Sequence, residues 1–307
     1  MTLSNALAQD AKRVLQATVE SIWGYGFTVA NRLFHPQVNF WSSPGQQHIL
    51  VIAPHPDDEA IGCAGTLIRH KRGGDEVCVA YITDGRQSRA LGLDAQEMVR
   101  RRRQEAEAGA KALDIDRFEW FGFPEGEWTV GQLQPRLQAL IKEFVPHIIY
   151  APSRIDFHPE HQKVAYALAQ LLSIEPVESP TIQIRIYQIH VPLTPSLTNL
   201  VVDTSAVATE SAAVLSVYVT QYESISRTVR QRRYAALLYG VEKQAEEFWQ
   251  LSAHRYCLLH SLPPTDWSAH TFRGLRFRPF SDPLAYLHGF SERRRLAGLT
   301  QSASGQR

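Results

Sequence analysis

Ile49-Leu50-Val51-Ile52-Ala53-Pro54-His55-Pro56-Asp57-Asp58-Glu59 is an apolar run that stops at an imidazole and three carboxylates. Five consecutive apolar residues closed by a proline read as a fully buried strand, and the acids after Pro56 read as the first turn of a helix. Such a strand delivers His55, Asp57 and Asp58 to the carboxyl edge of a sheet, where open α/β sheets hold their ligands. One imidazole and one carboxylate can bind a borderline-soft metal such as zinc, and a second carboxylate can handle a proton. A partner cluster, Asp156-Phe157-His158-Pro159-Glu160-His161, follows a second short apolar run at 148–151.

Between and around these clusters the chain alternates strands and helices. Strands are expected at 49–53, 76–83, 118–123, 148–151 and 181–190, and helices at 58–72, 94–113, 133–144 and 160–172. The run at 76–83 is almost wholly apolar, as in a parallel sheet buried on both faces. This β-α-β-α rhythm predicts an α/β fold with a doubly wound, mostly parallel sheet. The division expected is an N-terminal helical arm at 1–46, a catalytic domain at 47–205, a mainly helical part at 206–300 and a disordered tail at 301–307. The helical pattern is expected to run from 204 to about 251. In the arm, Trp23, Phe27 and Leu33 are expected to pack on the body or on a second subunit, with interfacial membrane contact the lesser reading.

Composition narrows the function classes. The 307 residues are 44% hydrophobic and 21% charged, with a formal net charge of +1. No bulk charge favours nucleic acid or an anionic surface. No stretch reaches the ~20 apolar residues that span a bilayer, and residues 1–34 show no secretory signal. Three scattered cysteines, Cys63, Cys78 and Cys257, indicate neither a disulfide framework nor a zinc knuckle and fit the cytoplasm.

Strands ending side by side at a switch point would bring His55, Asp58 and His161 onto one metal. Three protein ligands with an open fourth position is the pattern of a catalytic zinc. Such a metal lowers the pKa of its water towards ~7 and polarises a carbonyl. Asp57 can then accept the water's proton, and His158 can stabilise an oxyanion or protonate a leaving amine. Taken alone, His-Pro-Asp is a turn, Asp58 a helix cap and Glu59 a first-turn acid. Two such clusters, each at a strand's carboxyl end, favour the functional reading. His70, His147, His190, His254 and His260 have no such sequence neighbours and are expected on the surface or in the core.

At these residues the sequence resembles the PIG-L/LmbE-like zinc N-acetylglucosaminyl deacetylases. His55-Pro56-Asp57-Asp58-Glu59 matches that family's A-H-P-D-D-E signature, with Pro54 in place of the alanine, and 156–161 resembles its later H-P-D-H, with Glu160 in place of the aspartate. Thr83-Asp84-Gly85, Arg102 with Glu105 and Leu113, and Gly122-Phe123-Pro124-Glu125-Gly126 resemble its weaker landmarks. The resemblance covers about 48–205 and implies a Rossmann-like fold. It implies one zinc per chain, or another divalent metal, on His55, Asp58 and His161. It implies Asp57 as general base and His158 as the residue acting on the oxyanion or leaving amine. It also implies removal of an acyl group, typically acetyl, from an amino sugar in a small molecule or glycoconjugate.

Softer expectations remain. Arg86, Arg89 and Asp156 are candidates for substrate binding. Arg100 to Arg103 read as a solvated helix face, with Arg102 and Glu105 pairing with each other or with the sheet edge. Glu160 is expected to cap a helix or support a neighbour of the metal. No nucleic-acid partner is expected, and a homo-oligomer is open. The alternatives to the amino-sugar deacetylase are an amidase on a non-sugar or thiol-conjugate amide and a non-catalytic binding module. The intact set of His55, Asp57, Asp58, His158 and His161 argues against the binding module.

Overall fold

β2 (His48–Ala53) is the strand about which the fold turns. The structure is a computed structural model that describes residues 3–34, 36–174, 182–261, 283–286 and 289–301. After α1 (Leu3–Phe34) and the short β1 (Asn39–Phe40), β2 is followed by α2 (Asp58–Arg72) and β3 (Glu76–Thr83). Then come α3 (Ala95–Ala112), β4 (Arg117–Phe123), α4 (Val130–Phe144), β5 (Ile148–Ala151), α5 (Pro159–Ile174) and β6 (Gln183–Ile186). The C-terminal half adds β7 (Leu200–Asp203), α6 (Ala208–Ser216), α7 (Tyr222–Tyr239), β8 (Ala245–Ser252), α8 (Ala253–Leu259) and α9 (Phe290–Gln301).

The sheet has eight strands in the order β1-β7-β8-β6-β5-β2-β3-β4. The chain builds outward from β2 to β4, then returns to place β5 on the other side of β2. Val51 of β2 lies opposite Tyr150 of β5, and both strands run the same way. The switch point therefore lies between β2 and β5, and the loops after them emerge side by side. β2 alternates its side chains between two buried layers. Leu50 and Ile52 join one layer with Leu137 of α4 and Leu168 of α5. Ile49 and Val51 join the other with Ala64 and Leu67 of α2. All four β2 residues are fully buried, each stabilising the fold by about 1.5–3 kcal/mol through burial.

The structure bears on four expectations. First, residues 245–252 form a strand, not the end of a helical stretch. β8 pairs antiparallel with β6 and β7, so the 206–300 part completes the sheet. Glu246 and Glu247, charged residues uncommon in a strand interior, are both buried at 2% exposure. Glu247 accepts from Gln188 and Gln231, and from Tyr239 eight residues before it. Second, the strand expected at 181–190 is only Gln183–Ile186, and Thr181 lies outside the described residues. Third, in the arm Phe27 is buried against Tyr234 and Tyr286, with ring centroids 4.9 and 4.8 Å away. Trp23 is half-buried, but Leu33 is exposed. Fourth, Gln301, expected in the tail, belongs to α9, and 302–307 lie outside the described residues.

Candidate active site

The first turn of α2 and the loop after β5 meet at the switch point. His55 Nδ1 lies 3.2 Å from His161 Nε2. Asp58 Oδ2 lies 3.1 Å from His161 Nε2 and 3.4 Å from His55 Nδ1. All three residues are buried. Ligands of one tetrahedral zinc at bond lengths of ~2.0–2.1 Å stand about 3.3 Å apart, so this triangle fits a single divalent metal.

The outer atoms of the two imidazoles point to the same conclusion. His55 Nε2 faces Glu125 Oε1 at 3.2 Å, and His161 Nδ1 faces Asp156 Oδ2 at 3.2 Å. The His161 contact is off the line of a good hydrogen bond. Protons placed towards those carboxylates leave two ring lone pairs and a carboxylate aimed at one point, a donor set that suits a cation. Burial opposes charge on both rings. The carboxylates outweigh it, raising His55 to about 9, chiefly through Asp58 and Glu125, and His161 well above its ordinary value through Asp58 and Asp156. Burial opposes charge on Asp58 also, and the two histidines hold it well below the usual carboxylate range. Glu125 sits at about 2, where the His55 hydrogen bond overcomes burial.

His158 also brings a ring nitrogen within 4.8 Å of His55 and His161. Its Nδ1, however, accepts the Glu160 N–H at 3.3 Å. That leaves Nε2–H as the donor of a ring that lines the cavity. Burial first, and then the charge on His161 and His55, push His158 down to about 3, so it is neutral near pH 7.

Asp57 stands beside the triangle. Its Oδ1 accepts from Arg102 Nη2 at 2.7 Å, and Arg102 also donates to the Pro56 carbonyl. Burial raises Asp57 to about 6 against the pull of Arg102. Its backbone φ is 153°, a conformation with stored strain for a non-glycine residue. Gly85, at φ 67°, opens the passage for Arg102, because a Cβ there would run into the guanidinium. Arg102 is thus 4% exposed and paired with Asp57, not solvated and not paired with Glu105. Glu105 instead accepts from Thr220 and Arg101.

The other expected residues fall in different places. Arg86 is tied to Asp84 by Nε and Nη2, and Arg89 is exposed. Neither lines the 250 Å³ cavity that opens over His55, Asp57, Asp58 and His158. Asp156 lies behind the histidines: it accepts His190 Nδ1 at 3.0 Å and faces His161. Burial opposes its charge, but His190 and His161 hold it well below its ordinary value. Glu160 accepts from the Gly126 N–H and from Trp128 Nε1, tying the 124–126 turn to α5.

Two residues of the site went unrecognised. Glu125 was visible only as the acid of a Gly-x-Pro-Glu-Gly turn. His190, expected on the surface or in the core, lines the cavity and stacks on His158 at 5.6 Å between centroids. No local pattern marks it, because it follows β6 in an irregular loop. Gln221 and Ser224 line the same cavity from the C-terminal half.

Comparison with known proteins finds similarity over the segment that carries most of these residues. Residues 50–172 match the family described as PIG-L: GlcNAc-PI de-N-acetylase. A probable N-acetyl-alpha-D-glucosaminyl L-malate deacetylase 2 of Bacillus anthracis is 25% identical over 140 residues, covering 43% of this chain and 62% of that protein. The diacetylchitobiose deacetylase of Thermococcus kodakarensis is 27% identical over 123 residues, covering 38% of this chain and 46% of that protein. The matches thus span less than two thirds of these relatives. The solved N,N'-diacetylchitobiose deacetylase of Pyrococcus horikoshii shares the fold, with a TM-score of 0.59 at 22% identity over 68% of this chain and 85% of that one. The similarity to the PIG-L family thus lies in residues 50–172 of this chain.

Proposed function

We propose that this protein is a metal-dependent hydrolase that removes an N-acyl group, acetyl, from a small amino-sugar compound or glycoconjugate. The reading rests on the 3.1–3.4 Å triangle of His55, Asp58 and His161 at the base of a cavity shared with Asp57 and His158. One zinc per chain is the metal this donor set suits. When bound, it supplies positive charge and Lewis acidity at that point.

The chain's own groups do the rest. Asp57, ionised above about pH 6, takes a proton from the attacking water. It is the one carboxylate in the cavity lining outside the triangle and the Glu125–His55 contact. His158, neutral with Nε2–H as its donor, stabilises the oxygen that becomes negative. Donation of a proton to the leaving amine then falls to Asp57, which has just gained one. Arg102 and the Glu160 N–H hold these two groups in place. Gln221, Ser224 and Ile189, outside the PIG-L segment, line the cavity where substrates would be told apart. The three unpaired cysteines support a cytoplasmic setting.

A panel of N-acetylated amino sugars and glycoconjugates, assayed for acetate release with zinc-loaded protein, tests the reading. Release from at least one amino sugar supports it. Release only from non-sugar amides shifts the reading to a general amidase. A protein that binds zinc and releases no acetate from any of them overturns it.

A further inference from the structure

α2 carries Asp57 and Asp58 at its start, and an ion pair from outside the PIG-L segment is bonded to its backbone. Arg232 of α7 donates Nη2 to the carbonyls of Ala60 and Ile61, at 2.9 and 3.1 Å. Glu246 of β8 accepts the N–H groups of Gly65 and Thr66, at 2.9 and 2.8 Å, and the Thr66 hydroxyl at 2.6 Å. The two side chains meet each other at 2.6 Å. In an ordinary helix the Ile61 carbonyl serves the Gly65 N–H directly. Here the Ile61 carbonyl also accepts from Arg232 and the Gly65 N–H also donates to Glu246, so the two side chains grip the helix backbone at this turn.

The pair is costly to bury and closely fitted. Arg232 is 1% exposed and Glu246 2%. Arg232 Nη1 donates to Ser211, and a Cβ on Gly65 would fall 2.6 Å from Thr204 Cγ2. Replacing a buried ion pair by apolar groups is often neutral or stabilising, so such a pair is weak evidence for stability. Its geometry does something else. It fixes the first turn of α2 relative to β8, on the turn that bears Asp58 and leads out of Asp57.

We propose that Arg232 and Glu246 are positioning residues that set the angle of the first turn of α2, and through it the placement of Asp57 and Asp58 against His55 and His161. This rests on the functional reading above and extends it to residues on α7 and β8. Without the pair, α2 loses its anchor on α7 and β8, its first turn shifts, and Asp58 leaves the triangle.

The test compares the parent protein with the double variant Arg232→Met/Glu246→Leu and with Glu246→Gln. Zinc affinity is read by chelator competition, and kcat and KM on the best acetylated substrate. The double variant should fold, yet bind zinc about tenfold or more weaker, as loss of groups that orient metal ligands typically does. At saturating zinc its kcat should fall while KM changes little. A double variant with parental zinc affinity and kcat overturns the proposal. Should it fail to fold, Glu246→Gln, which keeps the shape and removes the charge, decides by the same zinc and kcat criteria. A crystal structure of the variant that folds shows directly whether Asp58 moves from His161. That readout holds whatever the parent hydrolyses, so it separates failure of this proposal from failure of the functional reading.

Discussion

Asp57 and Arg102 form a buried ion pair of 2.7 Å, joining the last residue before α2 to the middle of α3. Arg102 holds the Asp57 carboxyl down while burial pushes it up, and the balance falls at about 6. As the base, Asp57 must be ionised, so kcat/KM should rise with pH through an acid limb set by this group. Removing the cation lets burial act unopposed and raises the pKa further. Arg102→Met should therefore move the acid limb to higher pH, besides lowering the rate. A pH profile of kcat/KM for both proteins checks this. An unmoved limb in the variant would assign the titration to another group.

Asp57→Asn keeps the size of the side chain and removes its capacity to take a proton. Activity should fall by a factor of at least ~100, the lower end of general-base contributions, with folding and zinc content retained. Turnover near the parental level in Asp57→Asn would mean that a different group activates the water.

His55, Asp58 and His161 should each be required for metal, whereas His158 should not be. Elemental analysis of the alanine variants distinguishes them. His161→Ala should lose most of its zinc. His158→Ala should keep it and show a lowered kcat, because its Nε2–H acts on charge that develops in the transition state. Loss of zinc from His158→Ala would instead support a ligand set of His55, His158 and His161, whose ring nitrogens also lie within 4.8 Å of one another.

How far the sequence could carry these assignments depends on the range of each interaction. The strand of 49–53 and the helix start at Asp58 are local signals, and the strands that end in the two motifs can sit side by side at a switch point. Hence His55, Asp58 and His161 could be brought together from the chain alone. That Arg102 pairs at the sheet edge was one of two expectations, but Asp57 could not be singled out as its partner, because a run of four arginines on a polar helix looks like a solvated face. Only packing of α3 over Gly85 reveals that one of the four turns inward. β8 was hidden for the same reason. Its two glutamates are paired by Arg232, Gln188, Gln231 and Tyr239, none of them near in sequence except Tyr239. His190 reaches the cavity through an irregular loop, for which no periodicity exists.

Trp128 is 3% exposed, and its Nε1–H is donated to Glu160. Glu160→Ala leaves that buried donor without its partner, and the Gly126 N–H loses its acceptor too. The expected cost is about 1–3 kcal/mol for the stranded group. Urea denaturation measures it. Glu160→Gln, which retains an acceptor, should recover much of the loss. If both variants are as stable as the parent, water or another group satisfies Trp128.

The N-terminal arm should behave as two faces of one helix. Phe27 is 7% exposed and stacks on Tyr234 of α7, whereas Leu33 is 68% exposed. Phe27→Ala removes a ring from a packed cluster, and large-to-small changes of this kind cost about 3–5 kcal/mol. Part of that cost is spread over local undocking of α1, so the global melting temperature should drop clearly and the arm should gain protease sensitivity. Leu33→Ser removes no internal contact of that kind and should shift stability by less than about 0.5 kcal/mol. Melting curves and solution mass, measured together, separate the faces. A Leu33→Ser protein with a lower melting temperature and half the parental mass would show that the outer face of α1 is covered by a second copy of the chain. A Phe27→Ala protein with the parental melting temperature would show that the arm contributes nothing to the body it rests on.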